Sequence, residues 1–411
     1  MNQIKRVVCG ISGGVDSCIS AYKLKHRGFD VVGVFMRNWD LTDETGHCQA
    51  DKDCEDAAEI CRKIGIPFHE VNFVKEYWTH VFTPLLEDYQ NGLTPNPDIL
   101  CNRHVKFSSF LQYAREKHNA DAIATGHYAR TSFGPFLERS SPEKNCLLFK
   151  GVDPLKDQTL FLSQISQEAL RCTMFPIGEM HKRVVKTTAR QLGSEFKQYA
   201  HKKESMGICF IGPRKFSNFM REYCPPQRGR FIDVDTGKVV GQHEGVQMYT
   251  LGQRSLISGV GAPYFVAQKY PKTQDIVVAL GHDHPAMYSS TFEVDEMHWI
   301  SGTPVPPRDE MELDFRFQHA HPVVPCRVRF DPEDPQKKRL TVVLTVKQFA
   351  VTPGQYAVFY DGDQCLGSGR IGATEATKFI SGIVSGLPDE SPVKDRLRIK
   401  VPERRAVTAS C

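Results

Sequence analysis

The sequence predicts a parallel α/β domain followed by β-rich structure, on three observations. An apolar run from Val7 to Ile11 passes through a glycine-rich loop, Ser12 to Ser17, into a helical run toward Leu24. Strand-like apolar runs then alternate with longer helical segments as far as about Tyr128. Beyond Pro225 the texture changes to short β-prone segments broken by Gly, Pro and Asp.

Within the first region, Val31 to Met36, Phe68 to Phe73 and Asp121 to Thr125 read as further strands. Asp51 to Lys63, Trp78 to Tyr89 and His104 to Lys117 read as the helices between and after them. Ligands of a parallel sheet sit beyond the carboxyl ends of its strands, so the loops after Ile11, Met36 and Thr125 are expected to share one site. Thr131 to Lys144 reads as a flexible polar excursion, after which Gln158 to Arg171 and Met180 to Gln191 resume helical character. Further strands are expected at Phe231 to Val234, Gln247 to Leu251, Ile276 to Leu280, Cys326 to Phe330, Leu340 to Val346 and Tyr356 to Tyr360. A break near Pro285 separates a small central domain from a C-terminal β-barrel. The expected division is a catalytic domain over residues 1–212, a central domain over 213–285, a barrel over 286–372 and a basic tail over 373–411. The Lys394 to Arg405 run in that tail reads as a solvated end.

Composition is consistent with this division. A chain of 411 residues exceeds one ordinary domain. Hydrophobic residues at 40% and charged residues at 24% fit a globular protein, and no apolar run approaches the ~20 residues of a membrane helix. A net charge of +4 permits a nucleic-acid partner without requiring one. Thirteen cysteines with no signal-peptide pattern point to a reducing compartment with free thiols. No Cys-x-x-Cys pair occurs, which removes the commonest zinc-ribbon and thioredoxin-like arrangements.

The loop Ser12-Gly13-Gly14-Val15-Asp16-Ser17 carries the first chemistry. Adjacent glycines let the backbone approach an anion, and the following helix aims unpaired N–H groups and its positive dipole end at the same point. Neither the Gly-Lys-Ser/Thr ending of a Walker loop nor a Gly-x-Gly-x-x-Gly fingerprint is present, which disfavours γ-phosphate and hydride transfer. The loop resembles the pyrophosphatase loop of ATP-dependent adenylating enzymes.

Two further segments carry thiols. In Thr94-Pro95-Asn96-Pro97-Asp98-Ile99-Leu100-Cys101-Asn102, two prolines stiffen the backbone and hold a carboxylate and a thiol three residues apart. A helix beginning there favours the thiolate of Cys101. Taken alone, Cys101 also reads as a buried structural cysteine, and Cys209 in Lys203 to Gly212 as part of a core strand. Cys48, Cys54 and Cys61 are spaced wrongly for a zinc knuckle and read as packed thiols, and Gly281 to Pro285 reads as a polar turn.

Together these segments resemble the tRNA-specific 2-thiouridylase family. The resemblance extends through Gly126-His127-Tyr128, Lys156-Asp157-Gln158, Tyr249-Thr250-Leu251-Gly252-Gln253-Arg254 and Thr352-Pro353-Gly354-Gln355, covering about Arg6 to Gly369. Asn38-Trp39-Asp40 and Lys52-Asp53-Cys54-Glu55-Asp56 look more like its mitochondrial branch, which implies a mitochondrial location. Lys5 and Arg6 alone precede the first strand, too little for a recognisable transit peptide.

The resemblance implies an adenine-nucleotide alpha hydrolase-like (PP-loop) N-terminal domain and ATP-dependent thiolation of the wobble uridine in lysine, glutamate and glutamine tRNAs. It places ATP on Gly10, Ile11, Ser12, Gly13, Gly14, Val15, Asp16 and Ser17, with Met36 and Gly126 touching the nucleotide from neighbouring strand ends and Mg²⁺ balancing phosphate charge. Cys209 then carries a persulfide received from a donor protein, and Cys101 closes a Cys101–Cys209 disulfide that a reductant must open. The Asn96-Pro97-Asp98 segment meets the target base, with Asp98 as general acid or base. His127, Lys156, Asp157, Gln158, Arg316, Phe317 and Gln355 are the implied tRNA contacts. An iron-sulfur cluster on Cys101, Cys209 and Asp98 is an open alternative to the persulfide cycle. The rival classes are an amidotransferase-like synthetase and an RNA-binding protein with a decayed ATP site.

Overall fold

The computed structural model describes residues 4–39, 49–202, 216–257, 261–302, 310–319, 321–377 and 380. Its N-terminal sheet contains β1 (Arg6–Gly10), β2 (Asp30–Arg37), β3 (Phe68–Asn72) and β4 (Ala122–Ala124). A hairpin of β5 (Ala129–Thr131) and β6 (Leu148–Lys150) intervenes before β7 (Thr173–Met174) completes the sheet. The order is β3-β2-β1-β4-β7, all parallel, with Val8 facing Val32 on one side and Ile123 on the other. β1 is central and covered on both faces, which explains its near-continuous apolar sequence; Val7, Val8 and Cys9 are fully buried. The chain reverses direction across the sheet between β1 and β4, and the loop after β1 lies at that switch point.

The segment over 131–144 is not a flexible excursion. Phe133, Phe136 and Leu137 are buried, and the Arg27 guanidinium sits 4.1 Å from the Phe136 ring centre. Three apolar side chains anchor an otherwise polar stretch to the core. The expected helix over 158–171 divides into Thr159–Leu162 and Gln167–Arg171, the second capped by Ser166 Oγ accepting from Ala169 N at 3.2 Å.

The second sheet contains β8 (Gly229–Asp233), β9 (Val239–His243), β10 (Arg254–Ser255), β11 (Tyr264–Tyr270) and β12 (Asp275–Leu280), in the order β10-β11-β12-β8-β9. The strand expected at Gln247 to Leu251 is absent. A 3₁₀ turn, Val246–Met248, runs between Gly245 and Gly252, both at positive φ, and buries Val246 without extending the backbone.

The third sheet contains β13 (Tyr288–Trp299), β14 (Glu310–Arg316), β15 (Val324–Phe330), β16 (Leu340–Phe349), β17 (Tyr356–Asp361) and β18 (Gln364–Thr374). They run in the order β13-β16-β15-β14-β17-β18, and β13 pairs back with β18 to close a barrel around Phe292, Phe315, Val328, Val342 and Phe359. Gln364 and Cys365 of β18 also pair with Phe149 and Leu148 of β6, so a hairpin of the first domain extends the barrel sheet. The fold class thus follows the sequence reading: a parallel α/β domain, a β-rich middle and a C-terminal barrel. Among the described residues no helix is long and apolar enough to cross a membrane.

The first domain and the barrel are joined by a buried polar network. Arg316 Nη2 donates to Asp157 Oδ2 at 2.6 Å and to Tyr360 Oη at 2.8 Å, while Thr159 Oγ1 donates to Asp157 Oδ1 at 2.9 Å. Both charged side chains are over nine-tenths buried. Removing one partner of such a pair strands the other charge, so Arg316→Met is expected to cost about 3–5 kcal/mol, read as a lowered Tm, with Asp157→Asn in the same chain recovering part of it. Unchanged thermal stability with weakened tRNA binding would instead place Arg316 on the RNA.

Candidate active site

The helix after β1, Val15–His26, begins at Gly14, which is extended and makes no side-chain cap. Its first amides have no partner one turn earlier and remain available to an anion. Gly13 has φ +72°, and a Cβ there would lie 2.6 Å from Asp53 O, so only glycine fits. At Gly14 a Cβ would meet only Ser12 Oγ, at 3.5 Å, which leaves the face of the loop open. Ser17 Oγ accepts from Ser12 N at 3.1 Å, lies 3.3 Å from Ser12 Oγ and donates to Gly14 O at 3.0 Å. The loop is therefore braced by its own hydrogen bonds.

Neighbouring strand ends close around it. Met36 Cε lies 3.0 Å from the position of a Cβ on Gly10. A Cβ on Gly126 would stand 2.8 Å from Ser17 N and 2.9 Å from Asp16 C, so the backbone after β4 rests on the first helical turn. Gly10, Met36, Gly126 and the helix start come together as the sequence reading expects.

Sequence reasoning missed the charges around this loop. Asp16 accepts from Lys182 Nζ and from Tyr128 Oη, both at 2.6 Å. Lys202 Nζ donates to Gly13 O at 3.2 Å, to Asp53 Oδ1 at 2.9 Å and to Asp56. Tyr128 and the Lys52 to Asp56 stretch stood in motifs noted for their resemblance; nothing local marked Lys182 or Lys202.

The second half of the site is one helical run over residues 97–118. It opens as Pro97–Leu100, widens to π geometry over Cys101–Ser109 and continues as Phe110–His118. Asn96 is its N-cap, with Oδ1 accepting from Ile99 N at 3.4 Å, and Pro97 occupies the first turn, where a missing N–H costs nothing. Asp98 lies in that turn. Asp98 is exposed to solvent, although much protein surrounds its carboxylate. Desolvation pushes its proton affinity above the ordinary carboxylate range, and the Lys106 charge only partly offsets this. Cys101 follows as a buried thiol, 4% exposed. Asn102 Nδ2 donates to Phe161 O at 3.0 Å and fixes this turn against the domain. Further along the run, Phe110 approaches Gly10 at the end of β1, just before the glycine-rich loop. Cys209 lies outside the described residues, as do Cys48 and the Lys394 to Arg405 run.

Of the residues implied as tRNA contacts, several are engaged within the protein. His127 is buried, with Nδ1 2.8 Å from Thr125 Oγ1, and burial followed by the Lys106 charge holds its pKa well below the usual histidine value. Asp157 and Arg316 form the buried pair described above, and Phe317 stacks on Phe315 at 5.6 Å inside the barrel. Gln158 Oε1 accepts from Tyr128 N at 2.9 Å. Gln355 holds the loop before Asp98. Lys156 is half-buried in the turn before Asp157.

Cys54, Cys61, His282 and His284 are engaged within the fold. Cys54 Sγ donates to Glu70 Oε2 at 3.4 Å, and burial pushes the Cys61 thiol up to about 12. His284 Nδ1 caps the turn at Ala286 N, and His282 stacks on Phe349 at 4.1 Å. Among the described residues no group of three or more His, Cys, Asp and Glu side chains is placed to hold a metal.

Family profiles match almost the whole chain: "tRNA methyl transferase HUP domain" over residues 5–213, "tRNA methyl transferase PRC-barrel domain" over 217–280 and "Aminomethyltransferase beta-barrel domain" over 289–371. The mitochondrial tRNA-specific 2-thiouridylase 1 of Drosophila melanogaster is 48% identical over 371 residues, covering 90% of this chain and 94% of that one. The Homo sapiens protein of that name is 45% identical over 415 residues, covering 95% and 97%. The Caenorhabditis elegans protein, named a probable one, is 45% identical over 374 residues, covering 89% and 98%. With a glycine-rich loop at the switch point, a carboxylate and a thiol on one helical run, and identity of this degree along nearly its full length, the chain belongs to the tRNA-specific 2-thiouridylase family.

Proposed function

We propose that this protein is an ATP-dependent tRNA sulfurtransferase that converts the wobble uridine of lysine, glutamate and glutamine tRNAs to 2-thiouridine. The observation that carries the reading is that the helical run opening with Asp98 and Cys101 packs, through Phe110, against Gly10 at the foot of a glycine-rich loop whose face is open. Although the matching profiles are named for methyl transfer, a loop that offers helix-start amides to phosphate suits adenylation. The named relatives are mitochondrial, and we assign this chain to the same compartment.

Uridine O2 is a poor leaving group. Attack of O2 on the α-phosphorus of ATP expels diphosphate and leaves the oxygen as an adenylate. A persulfide on Cys209, charged by a donor protein, then attacks C2 through its terminal sulfur, and the C2–O2 bond breaks as AMP departs. Cys101 attacks the Cys209 sulfur, leaving the terminal sulfur on the base and forming a Cys101–Cys209 disulfide. A two-electron reductant restores both thiols. Asp98, in the first turn beside Asn96 and Pro97, takes or returns the N3 proton.

The chain's part in the first step is preorganisation. Gly13, Gly14 and the helix start receive phosphate, Ser12 and Ser17 supply hydroxyls, and Lys182 and Lys202, now paired with Asp16 and with Asp53 and Asp56, stand within reach of the loop. Asp16 is paired with Lys182, and Asp53 and Asp56 with Lys202, so these carboxylates are not grouped to hold a cation by themselves; Mg²⁺ bound with ATP would offset phosphate charge.

The test is incubation of the purified chain with unmodified tRNA, ATP, Mg²⁺ and a persulfide donor, followed by digestion and mass spectrometry. Formation of 2-thiouridine with stoichiometric AMP is expected. Uptake of sulfur without AMP, or AMP release dependent on a small carboxylate in place of tRNA, would overturn the reading.

A further inference from the structure

Gln355 bonds to three consecutive residues of the loop that precedes Asp98. Its Nε2 donates to Thr94 O at 3.0 Å and Pro95 O at 3.1 Å, and its Oε1 accepts from Asn96 Nδ2 at 3.5 Å. Both N–H donors of the amide are thereby consumed. Pro95 and Pro97 have no N–H, so this stretch cannot tie itself down by an ordinary ladder of backbone bonds. The barrel provides the missing partners.

The turn that carries Gln355 is itself fixed. Ile371 of β18 donates N–H to Gln355 O at 2.8 Å and accepts from Gly354 N at 2.9 Å. Thr94 N donates to Pro353 O at 3.1 Å. Gly354 has φ +93°, and a Cβ there would lie 2.8 Å from Leu93 Cβ and 2.9 Å from Thr94 N. Arg370 Nη2 reaches Asp88 Oδ1 at 2.7 Å and secures the end of the helix leading into the loop. Asn96 is also the N-cap of the helix that bears Asp98 and Cys101. A continuous path therefore runs from barrel strand to Gln355, to Asn96, to the first turn of the reactive helix.

We propose that Gln355 is a positioning residue for the reaction, holding Asn96 and thereby the Asp98–Cys101 turn in register from the barrel; this rests on the thiolation reading above. Family resemblance places Gln355 among tRNA contacts, yet both of its N–H donors are committed within the chain.

Gln355→Met keeps length and volume and removes the donors. With correct folding checked by Tm, thiolation at saturating tRNA is expected to fall about 10- to 100-fold, since displacement of a reacting group by about 1 Å costs that order, while tRNA Kd stays within about twofold. Amide exchange over residues 94–99 should rise. Gly354→Ala strains the same turn and presses on Thr94 while leaving the Gln355 amide intact, and should give the same pattern, which keeps the proposal testable if Gln355→Met folds poorly. A tRNA Kd weakened tenfold or more with thiolation at saturation unchanged would make Gln355 an RNA contact and overturn the proposal, as would unchanged exchange with unchanged rate. If the wild-type chain makes no 2-thiouridine while exchange still rises in Gln355→Met, the thiolation reading falls and the brace stands.

Discussion

Cys101→Ser and Cys209→Ser should each abolish 2-thiouridine formation, by about a thousandfold or more, while ATP is still split to AMP and diphosphate in the presence of tRNA. A hydroxyl can neither carry a persulfide sulfur nor attack one at neutral pH, so each substitution removes a bond-forming atom. Folding should survive both: serine fits the volume, and Cys101 loses one buried thiol from a turn that Asn102 still anchors to Phe161 O. Product and released AMP are measured together, because the two halves of the reaction use different residues. Thiolation retained in Cys101→Ser would remove the disulfide-closing step, and loss of AMP release in either variant would tie the thiols to adenylation instead.

Asp98→Asn should lower the rate of thiolation by about 10²–10⁴ and raise thermal stability at neutral pH. The second effect follows from the sign of its shift. Desolvation raises the folded pKa of Asp98, so its contribution to stability is fully present below the unfolded carboxylate value and is lost as pH rises through the folded value. At neutral pH the ionised carboxylate is held at a small cost, because its exposure lets water screen the charge, and the amide avoids that cost. The stability gain of Asp98→Asn should therefore fade as pH is lowered toward the ordinary carboxylate range. A variant less stable than wild type at neutral pH, with that deficit growing as pH rises, would contradict the assignment. Active sites commonly hold such destabilising groups, and the combined loss of rate and gain in stability separates a functional carboxylate from a structural one.

Much of the first domain was legible because its signals are local. Apolar runs of strand length, the Gly13-Gly14 pair and the prolines flanking Asn96 each act through neighbours in sequence, and the strands over 7–10, 31–36 and 68–72 were found within a residue or two. The β-rich half was less legible. β13 and β18, with 12 and 11 residues, hold the barrel closed, yet their polar alternation and glycines hid them. Gln247 to Leu251 has strand composition but lies between two positive-φ glycines that turn it. Thr131 to Lys144 looks polar by count, whereas three well-placed aromatic and aliphatic side chains decide its packing.

The same division runs through the site. By itself the sequence determined the glycine-rich loop, the stiffened Asp98–Cys101 segment, the α/β start and the family, because each depends on residue chemistry within one short stretch. Only the tertiary structure decided that Lys182 and Lys202 guard the loop, that Arg316 and Asp157 form a buried pair 159 residues apart, and that Gln355 holds Thr94 across 261 residues. Hydrogen bonds and desolvation act over a few ångströms in space with no regard to sequence distance, so a polar residue's partner becomes visible only once the chain has folded around it.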